Sequence, residues 1–208
     1  MQKNAGIFAD SSDIKNKEST VVSCRPWNVL IVDDEEQVHA VTKLVLTGYQ
    51  FEGRPLNFLH AYSARDAKEI LNNWGDIALV LLDVVMESDQ AGLKLAKYIR
   101  QELKNKLTRI VLRTGQPGQA PEESVIAEYD INDYKDKTEL TATKLRTLLY
   151  SVLRSYRDIV ALDENRKGLE LIIDSSAKIY EIQSLQKFTT AVLIQLIALI
   201  GLNEDSAY

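Results

Sequence analysis

Ile77-Ala78-Leu79-Val80-Leu81-Leu82-Asp83 is the stretch that decides how this chain folds. Six successive apolar residues leave no face for water, so a strand made from them must be covered on both sides. The run has the length of a strand and is too short for a typical helix. A lone acid directly after it is costly to hold charged without a partner, which singles out Asp83.

Working outward, the same alternation recurs. Trp27-Asn28-Val29-Leu30-Ile31-Val32 is a second buried-strand pattern, followed by Asp33-Asp34-Glu35-Glu36. From Glu35 to Leu46 the apolar residues Val38, Val41, Leu44 and Val45 fall at helical spacing, and Gly48 stops the helix. Leu56 to Ala61 reads as a strand, and Ser63 caps a helix running to about Trp74, with Asp66 three residues on. A helix is expected from Ala91 to Leu103, a strand from Arg109 to Arg113, and a turn at Gln116-Pro117-Gly118. A short helix from Glu122 to Tyr129, a brief strand at Asp133-Tyr134 and a long helix from Thr141 complete the pattern. Five strand–helix pairs in about 125 residues specify an α/β fold, a parallel sheet covered on both faces.

Composition agrees. The 208 residues are 45% hydrophobic and 26% charged, with 9 Gly and 4 Pro, which is enough apolar material for a core and rules out a low-complexity chain. A net charge of -5 argues against nucleic-acid binding. One cysteine, Cys24, cannot form an internal disulfide, so the cytoplasm is the expected compartment. With only His39 and His60 besides, a Cys/His zinc site is excluded. Residues 1–26 read as a polar tail without a signal-peptide core. The apolar run Ala191 to Ile200 is about half of what a bilayer span needs, so a buried or partner-packed helix is expected there and no membrane association.

In parallel α/β sheets the site lies at the carboxyl ends of the strands. Asp33, Asp34, Asp83, Thr114 and Lys137 all fall there. Taken singly, each has an ordinary explanation, since acids favour helix starts and Thr is common in strands. Their joint placement at one edge is what points to function. Three crowded carboxylates raise one another's pKa unless a cation neutralises them, and Mg²⁺ is satisfied by one or two carboxylates, waters and a phosphoryl oxygen. A carboxylate with Mg²⁺, an ammonium and a hydroxyl is the equipment for an acyl phosphate.

At Val29-Leu30-Ile31-Val32-Asp33-Asp34-Glu35, Leu81-Leu82-Asp83-Val84-Val85-Met86, Thr114-Gly115 and Asp133-Tyr134-Lys135-Asp136-Lys137 the sequence resembles the CheY-like receiver domain of two-component response regulators. The resemblance covers about residues 27–150 and implies a flavodoxin-like, doubly wound five-stranded parallel sheet. It implies that Asp83 accepts the phosphoryl group and that Asp33, Asp34, Asp83 and the carbonyl of Val85 hold Mg²⁺. It further implies Lys137 as the phosphoryl-binding cation, Thr114 as the switch hydroxyl and Tyr134 as the switch aromatic. The donor implied is a sensor histidine kinase or a phosphotransfer protein. Two prolines usual in the family are replaced, by Glu87 and Thr138. Glu87 is expected to point to solvent.

Residues 151–208 are expected to be a helical linker and the start of a truncated second domain, with a naturally short regulator as the other reading. Lys135 to Thr141, Leu153 to Tyr156 and Asn165 to Leu169 resemble a receiver subgroup whose second domain is uncharacterised and often precedes an HD-type cyclic-di-GMP phosphodiesterase. Leu145, Leu148, Val152, Ser155, Ile159, Leu162, Arg166, Leu169 and Ile173 alternate three and four apart, the spacing of a coiled-coil seam, and predict a parallel homodimer through the C-terminal helices. Two other functions compete. An aspartyl-phosphate phosphatase of the haloacid dehalogenase type needs a second acid two residues after the nucleophile, where Val85 stands. A pseudo-receiver serving as a phosphorylation-independent dimerisation or interaction module would not need all five pocket groups.

Overall fold

The computed structural model describes residues 25–115, 122–137 and 141–200. Along the chain come β1 (Trp27–Val32), α1 (Glu36–Leu46), β2 (Gln50–Phe51), β3 (Arg54–Ala61), α2 (Ala64–Asn73) and β4 (Ile77–Asp83). They are followed by α3 (Ala91–Lys97), which ends in a π-helical turn (Tyr98–Glu102), then β5 (Arg109–Thr114), α4 (Glu122–Tyr129), β6 (Asp133–Asp136) and α5 (Ala142–Ile200). The sheet order is β2-β3-β1-β4-β5-β6, and all neighbours are parallel except β2 with β3.

Five of these strands form the expected parallel sheet, and β2 adds a sixth, antiparallel one. Gln50 and Phe51 pair with Pro55 and Arg54 around Glu52-Gly53, both at positive φ (52° and 73°). Such a two-residue loop suits the twist of a hairpin, and glycine takes its second position without a side-chain clash. Two residues are too few to show a period, so nothing in the hydrophobic pattern announces this strand.

Side-chain alternation divides the core. Leu30, Val32, Val80, Leu82, Ile110 and Leu112 face α2 and α3, whereas Val29, Ile31, Leu79, Leu81 and Val111 face α1 and α5. Ser63 caps α2 as expected, its hydroxyl accepting the Asp66 N–H at 3.1 Å. In α1 the buried residues are His39, Thr42 and Leu46, while Val41 and Leu44 are 59% and 75% exposed. The apolar spacing correctly marked a helix, but polar anchors decide which side turns inward.

The last helix is one continuous element of 59 residues, about 88 Å long at the usual rise. Leu145, Leu148, Leu149, Val152 and Leu153 pack into the core beneath the sheet, so the first positions of the proposed seam are satisfied within the chain. Farther on, Leu162, Leu169 and Ile173 are each at least 60% exposed. Among the described residues, no helix is long and apolar enough to cross a membrane.

Candidate phosphoryl-acceptor site

The carboxyl ends of β1, β4 and β5 converge on a pocket. Asp33 follows β1 and is fully buried, Asp83 ends β4 and is 3% exposed, and Asp34 is exposed at the surface. One carboxylate oxygen from each lies within 4.8 Å of the others. Lys137, directly after β6, reaches across the sheet edge. Its Nζ donates to Asp83 Oδ2 at 2.8 Å, to Asp33 Oδ1 at 3.3 Å and to Glu35 Oε1 at 3.1 Å. The Glu35 N–H donates to Asp33 Oδ1 at 3.1 Å, which fixes the turn out of β1.

Burial pushes the Asp83 carboxyl above its usual range, although the Lys137 hydrogen bond and charge and the Val85 backbone N–H pull the other way. Burial works against the charged Lys137 ammonium, but its hydrogen bond to Asp83 and the charges of Asp83 and Asp33 win and raise its pKa. Desolvation thus dominates for the acid and pairing for the base. Asp83 Oδ1 is buried and has no geometric hydrogen-bond partner. An orphaned anionic oxygen beside two further carboxylates is a hard, oxygen-only donor set, which fits Mg²⁺.

Asp33, Asp34, Asp83 and Lys137 are therefore brought together as expected. Thr114 is buried at the end of β5, where it pairs in register with Asp136 of β6. Tyr134 lies half-buried in β6, against the core on the α2–α3 side. Val85 sits in the loop after β4 with its N–H toward the Asp83 carboxylate. Thr138 and the Gln116-Pro117-Gly118 turn lie outside the described residues.

Glu87 is exposed, as expected, and its Oε1 also accepts the Ala64 N–H at 3.1 Å, at the positive end of α2. The acid that replaces proline therefore meets the first turn of a helix and does not join the cluster of Asp33, Asp34 and Asp83. Gly92, in the first turn of α3, is fixed by close approach. A Cβ there would lie 1.9 Å from the carbonyl oxygen of Asp83, and the Gly92 N–H donates to Val84 O at 3.1 Å.

Two residues near the pocket escaped the sequence reading. Arg113, one residue before Thr114, is 3% exposed and pairs with Asp33 Oδ2 at 3.5 Å while donating to Thr42 Oγ1 at 3.1 Å. A cation inside the run Ile110-Val111-Leu112-Arg113 was the available signal, because a buried guanidinium requires an acid. His39 contacts the Asp33 carbonyl through Nε2 at 2.8 Å and His60 Nδ1 through its own Nδ1 at 2.9 Å. Burial lowers the pKa of His60, with His39 and Lys43 adding to the effect. Nothing in the sequence pattern distinguished these histidines from surface ones.

Residues 149–208 match the family described as "Domain of unknown function (DUF3369)". Over 205 residues the chain is 52% identical to a protein of Vibrio cholerae serotype O1 described as "3'3'-cGAMP-specific phosphodiesterase 2"; the match takes in 97% of this chain but spans only 39% of that protein's length. Among solved structures, it resembles the signal receiver domain of an HD domain-containing protein from Pseudomonas fluorescens Pf-5, at a TM-score of 0.54 and 24% identity, covering 65% of this chain and 99% of that one. It also resembles a CheY-like response regulator receiver domain protein from Methanospirillum hungatei JF-1, at a TM-score of 0.52 and 20% identity, covering 64% and 98% of the two chains. At these identities the structural likeness establishes the fold, and the sheet order, the acidic pocket and the C-terminal match agree with it. This chain has the fold of CheY-like receiver domains, and its residues 149–208 match the DUF3369 family.

Proposed function

We propose that this chain is the signal-receiving part of a response regulator, in which Asp83 accepts a phosphoryl group from a phosphohistidine on a sensor histidine kinase or a phosphotransfer protein. The observation that carries this reading is the state of Asp83, buried, paired with Lys137 at 2.8 Å, and left with one oxygen free beside Asp33 and Asp34. A carboxylate oxygen of Asp83 forms the new bond to phosphorus as the bond from phosphorus to the donor nitrogen breaks, and the electron pair remains on the imidazole. Asp33, Asp34, Asp83 and the Val85 carbonyl would hold Mg²⁺. When bound, the cation offsets the repulsion between the carboxylates and the incoming phosphoryl oxygens. Lys137 exchanges the lost Asp83 charge for a phosphoryl oxygen, and the Thr114 hydroxyl turns toward the same group. Tyr134 follows, and the surface formed by α4, β6 and the start of α5 changes with it.

The output is control of cyclic-dinucleotide hydrolysis within a longer protein. Support comes from the 52% identity to the Vibrio cholerae phosphodiesterase and from the DUF3369 match. The signal passes along α5 in a parallel homodimer. The exposed Leu162, Leu169 and Ile173 support this, since burying each such side chain is worth about 1.5–3 kcal/mol. Incubation with acetyl phosphate and Mg²⁺, read by intact mass, tests the reading. One added phosphoryl group, absent from Asp83→Asn and absent without divalent cation, is expected. An unchanged mass would instead favour a phosphorylation-independent dimerisation or interaction module.

A further inference from the structure

The acidic pocket contains a second cation that the receiver motif does not include. Arg113 rises from β5 on the side opposite Thr114, towards α1 and α5, and its guanidinium lies under Asp33. Nη2 stands 3.5 Å from Asp33 Oδ2, and Nη1 donates to Thr42 Oγ1 of α1 at 3.1 Å. Lys137 approaches the same Asp33 oxygen at 3.2 Å. The Arg113 side chain is 4% exposed, and its Nε is buried without a hydrogen-bond partner. The guanidinium is therefore placed by charge rather than by full hydrogen bonding. Arginine cannot lose its proton under ordinary conditions, so this positive charge is permanent.

Four acids face the pocket, namely Asp33, Asp34, Glu35 and Asp83, and two cations answer them, Lys137 and Arg113. With all six ionised the formal balance is −2, the charge that one divalent cation cancels. We infer that Arg113 is a positioning residue and built-in counter-ion that weakens divalent-cation binding at the acidic pocket by holding Asp33, keeping that binding readily reversible. This rests on the reading of Asp33, Asp34 and Asp83 as a Mg²⁺ site. The Thr42 contact keeps the guanidinium on the α1 side of Asp33, where it adds its charge to the pocket. A residue that merely oriented Asp33 for the metal would act in the opposite direction.

The test is Mg²⁺ titration of the full chain by calorimetry, with wild type, Arg113→Gln and Arg113→Lys compared at one ionic strength. Removing a fixed unit charge within a few ångströms of a divalent ion is expected to tighten binding about five- to twentyfold in Arg113→Gln. Arg113→Lys, which keeps the charge, should return to within about threefold of wild type by the same Coulomb argument. Equal or weaker binding in Arg113→Gln overturns the inference while leaving the Mg²⁺ site in place. Absence of binding in wild type overturns both. Should Arg113→Gln fail to fold without metal, Mg²⁺-dependent thermal stabilisation provides the second measurement. A larger Mg²⁺-induced rise in Tm than in wild type, or recovery of folding at Mg²⁺ concentrations below the wild-type Kd, supports the inference; no response to Mg²⁺ overturns it.

Discussion

Asp83→Asn is expected to abolish phosphoryl acceptance and yet to stabilise the fold. The wild-type side chain holds a negative charge in a nearly sealed position, with Oδ1 unpartnered and Asp33 and Asp34 close by. An unsatisfied buried polar atom costs about 1–3 kcal/mol, and the neighbouring carboxylates add repulsion. An asparagine keeps an acceptor for Lys137 and presents an N–H₂ to the adjacent acids. Lys137 also retains Asp33 and Glu35 as partners, at 3.2 and 3.1 Å. Subtracting the weakened Lys137 contact leaves a net gain of about 1–2 kcal/mol, or about 2–8 °C in Tm for a chain of this size. The pH dependence has a definite sign. Because the folded pKa of Asp83 is raised from 3.8, its ionisation costs stability. The penalty is absent below the unfolded pKa, grows through the interval up to the raised folded value, and is constant above it. Urea denaturation in chelator should therefore show Asp83→Asn more stable than wild type at pH 7, with the gap closing towards pH 3.8. Saturating Mg²⁺ should narrow or reverse the gap, because the cation favours the native wild type. A less stable Asp83→Asn at pH 7 without divalent cation would refute the claim that desolvation outweighs the Lys137 pair.

Three further outcomes follow from the same geometry. Gly92→Ala places a Cβ 1.9 Å from the Asp83 carbonyl oxygen, so chemical denaturation should show a loss of about 2–3 kcal/mol or more, together with slower phosphorylation. Changing Ile159 and Leu162 together to Asp should shift sedimentation from dimer towards monomer without altering the receiver's own stability, because Leu162 is 67% exposed; a chain that is monomeric before substitution contradicts the seam. The acyl phosphate should persist for minutes or longer, since Val85, two residues beyond Asp83, offers no polar group to orient an attacking water; phosphate release within seconds would contradict this.

The parallel sheet was legible because its central strands β1, β4 and β5 are buried along their whole length and therefore read as largely apolar runs. The pocket acids were legible because they directly follow those runs, and Lys137 because it closes a short, specific motif. Side-chain partnerships across the fold were not. Thr42 and His39 displace Val41 and Leu44 from the buried face of α1 because Arg113 and the Asp33 carbonyl require partners there. No period within α1 carries that information. Glu87 similarly caps a helix that begins 23 positions earlier in the chain, a relation that exists only once β4 lies beside β1. The continuity of α5 was partly readable, since no proline interrupts it and Gly168 alone breaks the pattern of strong helix formers around it.

The central claim is that Asp83 carries the phosphoryl group. After treatment with acetyl phosphate and Mg²⁺, borohydride reduction converts an acyl-phosphorylated aspartate to homoserine, which peptide mass mapping locates. The account predicts conversion at position 83 alone, dependent on the divalent cation and absent from Asp83→Asn. Conversion at Asp33 or Asp34, or labelling undiminished in Asp83→Asn, would contradict it.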